Sequence, residues 1–536
     1  MSNKYKFIFV ILPSIASIFF TVRILKQALL NVVPTGDDPA FHALAIVTVA
    51  HNPMCLFVHI MPGSCNQPLV VSSLQYPNLI HFLASILYNY SHDILLTIKL
   101  LYTVVGLLMV WTPTILYINL LNMIPSKKLA FLSGIWYLIV PFYILNNALF
   151  TFSEGSIFEL VGMLIIFPLI FILIFRNSRL SLIGLMVGLT ANSIPSLFLT
   201  LVFLIPYFLL LLYKKQLSVI VKITILFLLT SNILFIRYLA IFALPAYKTA
   251  ITGNASSSFP SILDYFQVGY PYKDVEIPLA LLLLLSIIPL LKYKRGSLFL
   301  FAYSLMVLVE IFIWNRALRY LLLFLYFIPY FYIEIYYNIE KYSRNIIKIY
   351  FILLLGLFVF FAYNYQFYFR LLNFSGDLQR LTPAQYEIYK SLIHFFFENH
   401  VSSVATICQF SSWLLPLLES HNITALCLLA PSFIAQTPKV VPMFNIIMSV
   451  NETLSTGSFI SLSKYANVLV FEPPYQGQIY NSNQQLLYNS FLRLLNLEKW
   501  KDNIIIISFK EINITSEYLS KYKIVLLRVK EFKVAK

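Results

Sequence analysis

Pro34-Thr35-Gly36-Asp37-Asp38-Pro39-Ala40-Phe41-His42 follows directly on the first apolar run of the chain. It puts two adjacent carboxylates at the edge of that run, in a sequence that otherwise avoids charge. Gly36 permits a tight turn. Asp37 or Asp38 can cap the helix that Pro39 opens, because proline is favoured at the first helical position and a carboxylate accepts from the orphan N–H groups there. One reading of the pair is therefore a helix cap at a water interface. The other is a catalytic carboxylate held at the same boundary.

Composition sets the surroundings. The chain has 536 residues, of which 59% are hydrophobic and 11% charged, and its mean hydropathy is +0.79. Soluble domains carry about 25% charged residues, so this balance is that of a polytopic membrane protein. A formal net charge of +16 would suit a nucleic-acid binder if it formed a basic stripe interleaved with aromatics. The basic residues instead fall in short clusters between apolar runs, which is the pattern of cytoplasmic loops.

Phe7–Phe20 has the length of a signal-peptide core, but no small-residue cleavage site follows it, so it reads as part of an uncleaved first span. With about 20 apolar residues per crossing, the chain accommodates about eleven spans. They are Phe7–Leu30, Ile94–Leu120, Leu129–Leu145, Ser156–Phe175, Leu180–Asn192, Ser196–Tyr213, Leu217–Leu239, Ile277–Leu291, Ser297–Ile313, Tyr320–Tyr337 and Ile346–Phe369. The loop Asn31–Tyr76 holds the acidic pair. Pro77–Tyr90, apolar but short, reads as a helix lying at the outer surface or dipping into it.

Charge orients these spans. Lys4 and Lys6, Lys127 and Lys128, Arg176 and Arg179, Lys214 and Lys215, Lys292 to Arg295, and Lys341 to Lys348 cluster on one side. The Asn31–Tyr76 loop has no Lys or Arg, and the other outer loops carry only Lys248, Lys273, Arg316 and Arg319. The clustered side is then cytoplasmic, and the Asp pair and everything after Phe369 are extracytoplasmic. Asn-x-Ser/Thr sequons at Asn89, Asn254, Asn373, Asn422, Asn451 and Asn513 all fall outside on this topology. So do Cys55, Cys65, Cys408 and Cys427. An even number in an oxidising compartment allows disulfides Cys55–Cys65 and Cys408–Cys427, with buried thiols as the alternative.

Composition shifts at Arg370, dividing a membrane domain (1–369) from a C-terminal domain (370–536). Thr382-Pro383-Ala384-Gln385 has the form of a capping box opening a helix to about Asn399. Strands are expected at Val401–Ile407, Thr424–Leu428, Val468–Phe471, Ile504–Phe509 and Ile524–Val529, and helices at Trp413–Ser420 and Gln484–Leu497. That alternation predicts a small α/β domain. No Gly-rich phosphate loop occurs, and with 15 glycines in the chain a nucleotide-binding fold is disfavoured.

An inside N-terminus, one span, and a long outer loop opening with paired acids resembles the layout of the GT-C glycosyltransferase superfamily. Tyr76-Pro77-Asn78-Leu79-Ile80-His81-Phe82-Leu83 is similar to the surface helix that follows this loop in several of its families, with Asn78 in place of a second proline. Lys99 resembles a basic residue early in their second span, and Arg319-Tyr320 an Arg-aromatic pair of archaeal and bacterial members. The segments Leu381–Tyr386 and Lys464–Val470 resemble parts of their C-terminal domain. Members often carry a histidine near Asn192–Pro195, where this chain has none. The resemblance implies a polyprenyl-phosphate-linked sugar donor, an acceptor glycan, lipid or protein, and a second outer-loop acid, here Glu154.

Chemistry distributes the roles. Sugar transfer needs a general base for the acceptor, worth about 10²–10⁴ in rate, and cations to hold the departing phosphate. Asp37 or Asp38 is the expected base. The two together, with Glu154, are also oxygen ligands for a divalent cation such as Mg²⁺ or Mn²⁺. Arg319 and Arg316 are candidates to clamp the lipid phosphate, or they snorkel to headgroups. Lys99, Tyr76, His42 and His81 complete the candidate substrate contacts; lone interfacial histidines are more often structural. Glu159 and Glu310, inside spans, require a partner or a cavity. Two other classes compete: a transporter or flippase of lipid-linked substrates, and a non-catalytic scaffold with an outer binding domain. The expected topology has a direct readout. A single reporter cysteine at Thr35, in a background without the native cysteines, should react with a membrane-impermeant thiol reagent in intact cells. One at Lys127 should react only after permeabilisation.

Overall fold

The computed structural model describes residues 3–30, 38–57, 79–124, 126–139, 161–176, 182–190, 194–243, 326, 329–330, 352, 381, 383–398, 400–407, 413–429, 440–442, 468–471 and 525–528. The helices there are α1 (Asn3–Leu30), α2 (Asp38–His51), α3 (Leu79–Ser91), α4 (Ile94–Leu121), α5 (127–139), α6 (Phe167–Arg176), α7 (Leu182–Thr190), α8 (Ile194–Tyr213), α9 (Leu217–Ala243), α10 (Pro383–Glu398) and α11 (Leu414–Ser420). A π-helical turn, Val161–Ile166, leads into α6, and a 3-10 turn, Pro53–Phe57, follows α2. The expected surface helix, Pro77–Tyr90, corresponds to α3, Leu79–Ser91, with Pro77 and Asn78 outside the described residues. The four expected spans after residue 276 lie outside the described residues, save for isolated positions. The chain partitions into two compact units. One comprises Met1–Gln27, Tyr102–Ile236 and Asn254–Ser375, the other Ala28–Leu101, Arg237–Gly253 and Gly376–Lys536.

Two described stretches are long and apolar enough to cross a bilayer, Ile8–Lys26 in α1 and Ile94–Leu121, which is α4. Their apolar side chains point outward as well as inward. On α1, Ile8, Ile11, Ile15, Ile18, Val22 and Leu25 form an exposed ladder, while Ala16, Phe20 and Ile24 are buried. On α4, Leu96, Leu100, Val104, Leu108, Ile115 and Ile118 are exposed, and Ile98, Tyr102, Met109 and Tyr117 are buried. A helix apolar on both faces suits lipid on one side and protein on the other.

In the first unit polar groups face inward. The Ser17 hydroxyl on α1 donates to the Val110 carbonyl on α4 at 2.7 Å and lies 2.8 Å from Thr114 Oγ1. Tyr117 donates to the Ala130 carbonyl at 2.6 Å. Tyr137 donates to the Tyr326 carbonyl, and Tyr330 to the Leu116 carbonyl at 2.7 Å while accepting from Asn119 Nδ2 at 2.9 Å. Tyr117, Tyr137 and Tyr330 are fully buried. Their hydroxyls tie α4 and α5 to Tyr326 and Tyr330 where water cannot supply partners.

Glycine marks one close crossing. Gly184 and Gly188, spaced four apart on α7, form a small-xxx-small face. A Cβ at Gly184 would overlap the Ile223 carbonyl of α9, and one at Gly188 the Thr230 side chain. Elsewhere the glycine-poor chain ends helices with other residues. Lys215, His400 and Asn422 hold positive φ of 56°, 51° and 60°. Each follows a helix whose end is closed by Schellman-type bonds, as in Lys215 N–H to the Leu212 carbonyl and Gln216 N–H to the Leu211 carbonyl. Asp93 begins the next helix: its Oδ1 accepts from the Leu95 and Leu96 N–H groups at 2.9 and 3.0 Å, capping α4.

The second unit contains a five-stranded sheet in the order β3-β2-β1-β4-β5, built from β1 (Ser403–Ile407), β2 (Thr424–Leu429), β3 (Val440–Pro442), β4 (Val468–Phe471) and β5 (Val525–Arg528). β1 pairs in parallel with β2 and β4, β2 in parallel with β3, and β5 runs antiparallel at the edge. The continuous apolar strands β2 and β4, TALCLL and VLVF, are of the kind covered on both faces. The short strand β3 was not among the expected ones. The expected strand at Ile504–Phe509 and helix at Gln484–Leu497 lie outside the described residues.

The α7–α9 crossing has a measurable consequence. Gly184→Ala and Gly188→Ala should each destabilise the protein by about 1–3 kcal/mol through overpacking. Thermal unfolding in detergent reads this. Leu209→Ala, at an exposed position of α8, is the control and should change stability by no more than about 0.5 kcal/mol.

Candidate functional site

The site is built on α2 and α3. Asp38 is the first residue of α2, and Pro39 sits in its first turn, where a missing N–H costs nothing. Beyond it Ala40, His42, Ala43, Leu44, Ala45, Ile46, Val47 and Val49 are all buried. A helix apolar nearly all round must be covered on several sides, and α2 packs against both α3 and α11. Its alanines allow close approach. On α3 the residues His81, Ala84, Ser85 and Tyr88 are buried; their spacing places them on one helical face. The other face is apolar yet exposed, carrying Leu79, Leu83, Ile86 and Tyr90.

This packing brings His42 and His81 together. His42 Nδ1 lies 3.2 Å from His81 Nε2, with ring centroids 5.3 Å apart and planes inclined at 41°. Both side chains are fully buried. As a hydrogen bond, one ring must donate and the other accept, so the tautomer of each fixes that of the other. Two turns further along α3, Tyr88 is also buried. Burial, and secondarily the nearby Asp93 carboxylate, raises its phenol above the ordinary range, so it stays a neutral hydroxyl.

α11 connects this pair of helices to the sheet. It packs on α2, on α10 and on β2. Glu419 near its end accepts from the Ala425 N–H at 2.9 Å, fixing the entry into β2. Trp413, just before α11, is buried, and its indole N–H has no hydrogen-bond partner among the described residues. Buried donors are ordinarily satisfied, so this indole is one of a few exceptions among the described residues.

The other expected site residues distribute as follows. Lys99 is half-buried in the second turn of α4. Cys55 is buried in a small cluster with Val49, Leu56 and Phe82. Cys427 lies in β2, its backbone in register with Thr406. Asp37, Tyr76, Glu154, Arg316, Arg319, Cys65 and Cys408 lie outside the described residues, as does the side chain of Asp38. No group of three or more His, Cys, Asp or Glu side chains able to hold a metal occurs among the described residues. The imidazole pair and the Trp413 indole are what sequence reasoning did not assemble. The two histidines are 39 positions apart, and only their separate nearness to the acidic loop and to the Tyr76-Pro77 motif hinted at a shared place. No protein-family model matches the chain, and no curated protein matches it.

The pair makes a thermodynamic prediction. His42→Ala and His81→Ala should each lower stability by about 1–3 kcal/mol, since each strips a buried imidazole of one partner. The double variant should lose less than the sum. Thermal unfolding of the three variants measures this, and strictly additive losses would show that the rings do not act as a unit.

Proposed function

We propose that the chain is a multi-pass membrane glycosyltransferase of the GT-C type. It transfers a sugar from a polyprenyl-phosphate donor to a glycan, lipid or protein acceptor on the extracytoplasmic face of the cell membrane. The observation that carries the reading is the shared unit of α2, α3 and α11. The helix opened by the acidic pair is packed on the expected surface helix and on elements of the C-terminal segment. An active site of this class needs that union: a base at the membrane boundary, a platform at the lipid surface, and an outer α/β domain that receives the acceptor. The exposed apolar face of α3 suits a helix seated in the lipid interface. The apolar ladders of α1 and α4 suit two of the about eleven spans that length and hydropathy allow.

In this reading Asp37 or Asp38 takes the acceptor proton as the nucleophilic oxygen or nitrogen attacks the anomeric carbon. The bond from that carbon to the donor phosphate breaks, and the lipid phosphate departs with the electron pair. Arg319, with Arg316 and Lys99 as further candidates, neutralises the developing charge. His42 and His81 hold the start of α2 in place. A divalent cation held by Asp37, Asp38 and Glu154 would supply additional charge stabilisation. A single displacement of this kind inverts the anomeric centre.

Purified protein in nanodiscs, incubated with a panel of radiolabelled polyprenyl-phosphate sugars and membrane-extract acceptors, tests the assignment. Asp37→Asn or Asp38→Asn, whichever removes the base, should lower transfer by about 10²–10⁴-fold while insertion and thermal stability stay unchanged. Full activity in both variants would defeat it. Donor translocation without transfer would favour a flippase.

A further inference from the structure

Two of the Asn-x-Ser/Thr sequons lie on described residues, Asn89-Tyr90-Ser91 and Asn422-Ile423-Thr424. Both asparagines are exposed. Beyond that they differ. Asn89 sits in the last turn of α3, and residues two apart on a helix do not face each other. The Ser91 hydroxyl is also engaged. It lies 3.2 Å from Thr97 Oγ1, donates to the Asp93 carbonyl at 3.3 Å and accepts from the Asp93 N–H at 3.3 Å. This sequon is therefore part of the joint between α3 and α4. Asn422 occupies the turn between α11 and β2, with a φ of 60°. Backbone bonds close that turn. The Asn422 N–H donates to the Glu419 carbonyl at 3.1 Å, the Ile423 N–H to the Leu418 carbonyl at 3.0 Å, and the Thr424 N–H to the Ser402 carbonyl at 2.9 Å. Among the described residues nothing hydrogen-bonds the Asn422 side-chain amide or the Thr424 hydroxyl. We infer that Asn422 is an acceptor for N-linked carbohydrate and that Asn89 is not.

The motif defines the chemistry. The side-chain amide nitrogen is the nucleophile, and the hydroxyl two residues on marks it for transfer. The donor is a lipid-phosphate-linked oligosaccharide. A bond forms from the Asn422 amide nitrogen to the anomeric carbon, the bond from that carbon to the phosphate oxygen breaks, and the lipid phosphate leaves with the electron pair. The amide proton passes to a base of the transferase that modifies the chain. An attached glycan is bulky and polar, so its asparagine must face water in the folded protein. The left-handed turn does not account for these residues by itself. Glycine is preferred to asparagine at that position, and the turn makes no demand on residue 424. Asn89, by contrast, borders Ile94–Leu121, which is long and apolar enough to cross a bilayer. Its neighbours Leu83, Ile86 and Tyr90 expose apolar surface that competes with a glycan for the same space. The inference rests on the extracytoplasmic placement of the C-terminal segment in the reading above, since transfer of this kind takes place on that face.

The test isolates the full chain from the membranes of its native cells and maps its peptides by mass spectrometry. The expected result is a carbohydrate mass, with sugar fragment ions, on the peptide holding Asn422 in most copies, and an unmodified peptide holding Asn89. Asn422→Gln and Thr424→Ala should each remove that mass, and Thr424→Ser should keep it. Thr424→Ala retains the left-handed Asn422, so it removes the motif without removing the turn. A bare Asn422 in the native chain, carbohydrate on Asn89, or carbohydrate that survives Asn422→Gln or Thr424→Ala overturns the inference. His421→Cys, in a Thr424→Ala chain without the native cysteines, separates this result from the topology. If a membrane-impermeant thiol reagent labels it in intact cells while Asn422 is bare in the native chain, the glycan fails and the extracytoplasmic placement stands. If labelling waits for permeabilisation, both fail. A glycan on Asn422 in a chain that transfers no sugar itself would sink the transferase and leave this site standing.

Discussion

Burial of α2 is the constraint on which the second unit depends. A helix that is apolar nearly all round cannot rest on one neighbour. It is clasped by α3 on one side and α11 on another. Within that clasp the His42 side chain has been taken out of water. A desolvated imidazole costs free energy unless it meets a partner, and His81 across the helix pair is one. The contact therefore fixes the register of α3 against α2. The apolar packing brings the helices together, and the polar contact selects which faces meet.

The first unit solves a related problem by different means. Its helices expose apolar ladders and enclose polar groups, with tyrosine hydroxyls and Ser17 bonded to carbonyls of neighbouring helices. Two described stretches are long and apolar enough to cross a bilayer, and for helices in hydrocarbon, which gain little from burying more of it, close backbone approach and internal hydrogen bonds are the means of association. The face of Gly184 and Gly188 against α9 serves the first need, and the tyrosine network the second. Scarcity of glycine has a visible consequence. Helix ends that would ordinarily take it use Lys215, His400 and Asn422, which accept the left-handed conformation at some cost.

For chemistry, the important point is what the fold gathers. Imidazole nitrogens, the helix opened by an acidic couple, and an indole N–H without a partner among the described residues belong to one compact unit that also carries the sheet. Imidazole nitrogens so placed can donate or accept a hydrogen bond and orient a hydroxyl. The buried and neutral Tyr88 adds a hydroxyl on the same face of α3.

The chain's own pattern of residues places most of the described helices and two of the strands. Long apolar runs, the proline after the acidic pair, and Thr382-Pro383 ahead of a mixed segment placed α1, α2, α4, α8, α9 and α10 close to where they lie, because hydrophobic period and capping are local properties. The strands at Thr424–Leu429 and Val468–Phe471 were legible for the same reason. The cap supplied by Asp93 and the glycine pair on α7 are local too, but each is a one- or two-residue signal inside or beside an apolar run whose length dominates. The strand order could not be read, since a parallel crossover leaves no mark in the strands it joins. Nor could the meeting of His42 and His81: two side chains 39 positions apart become neighbours only when the packing of two helices chooses a register. That choice belongs to the summed contacts of many side chains, which no single stretch of the sequence contains.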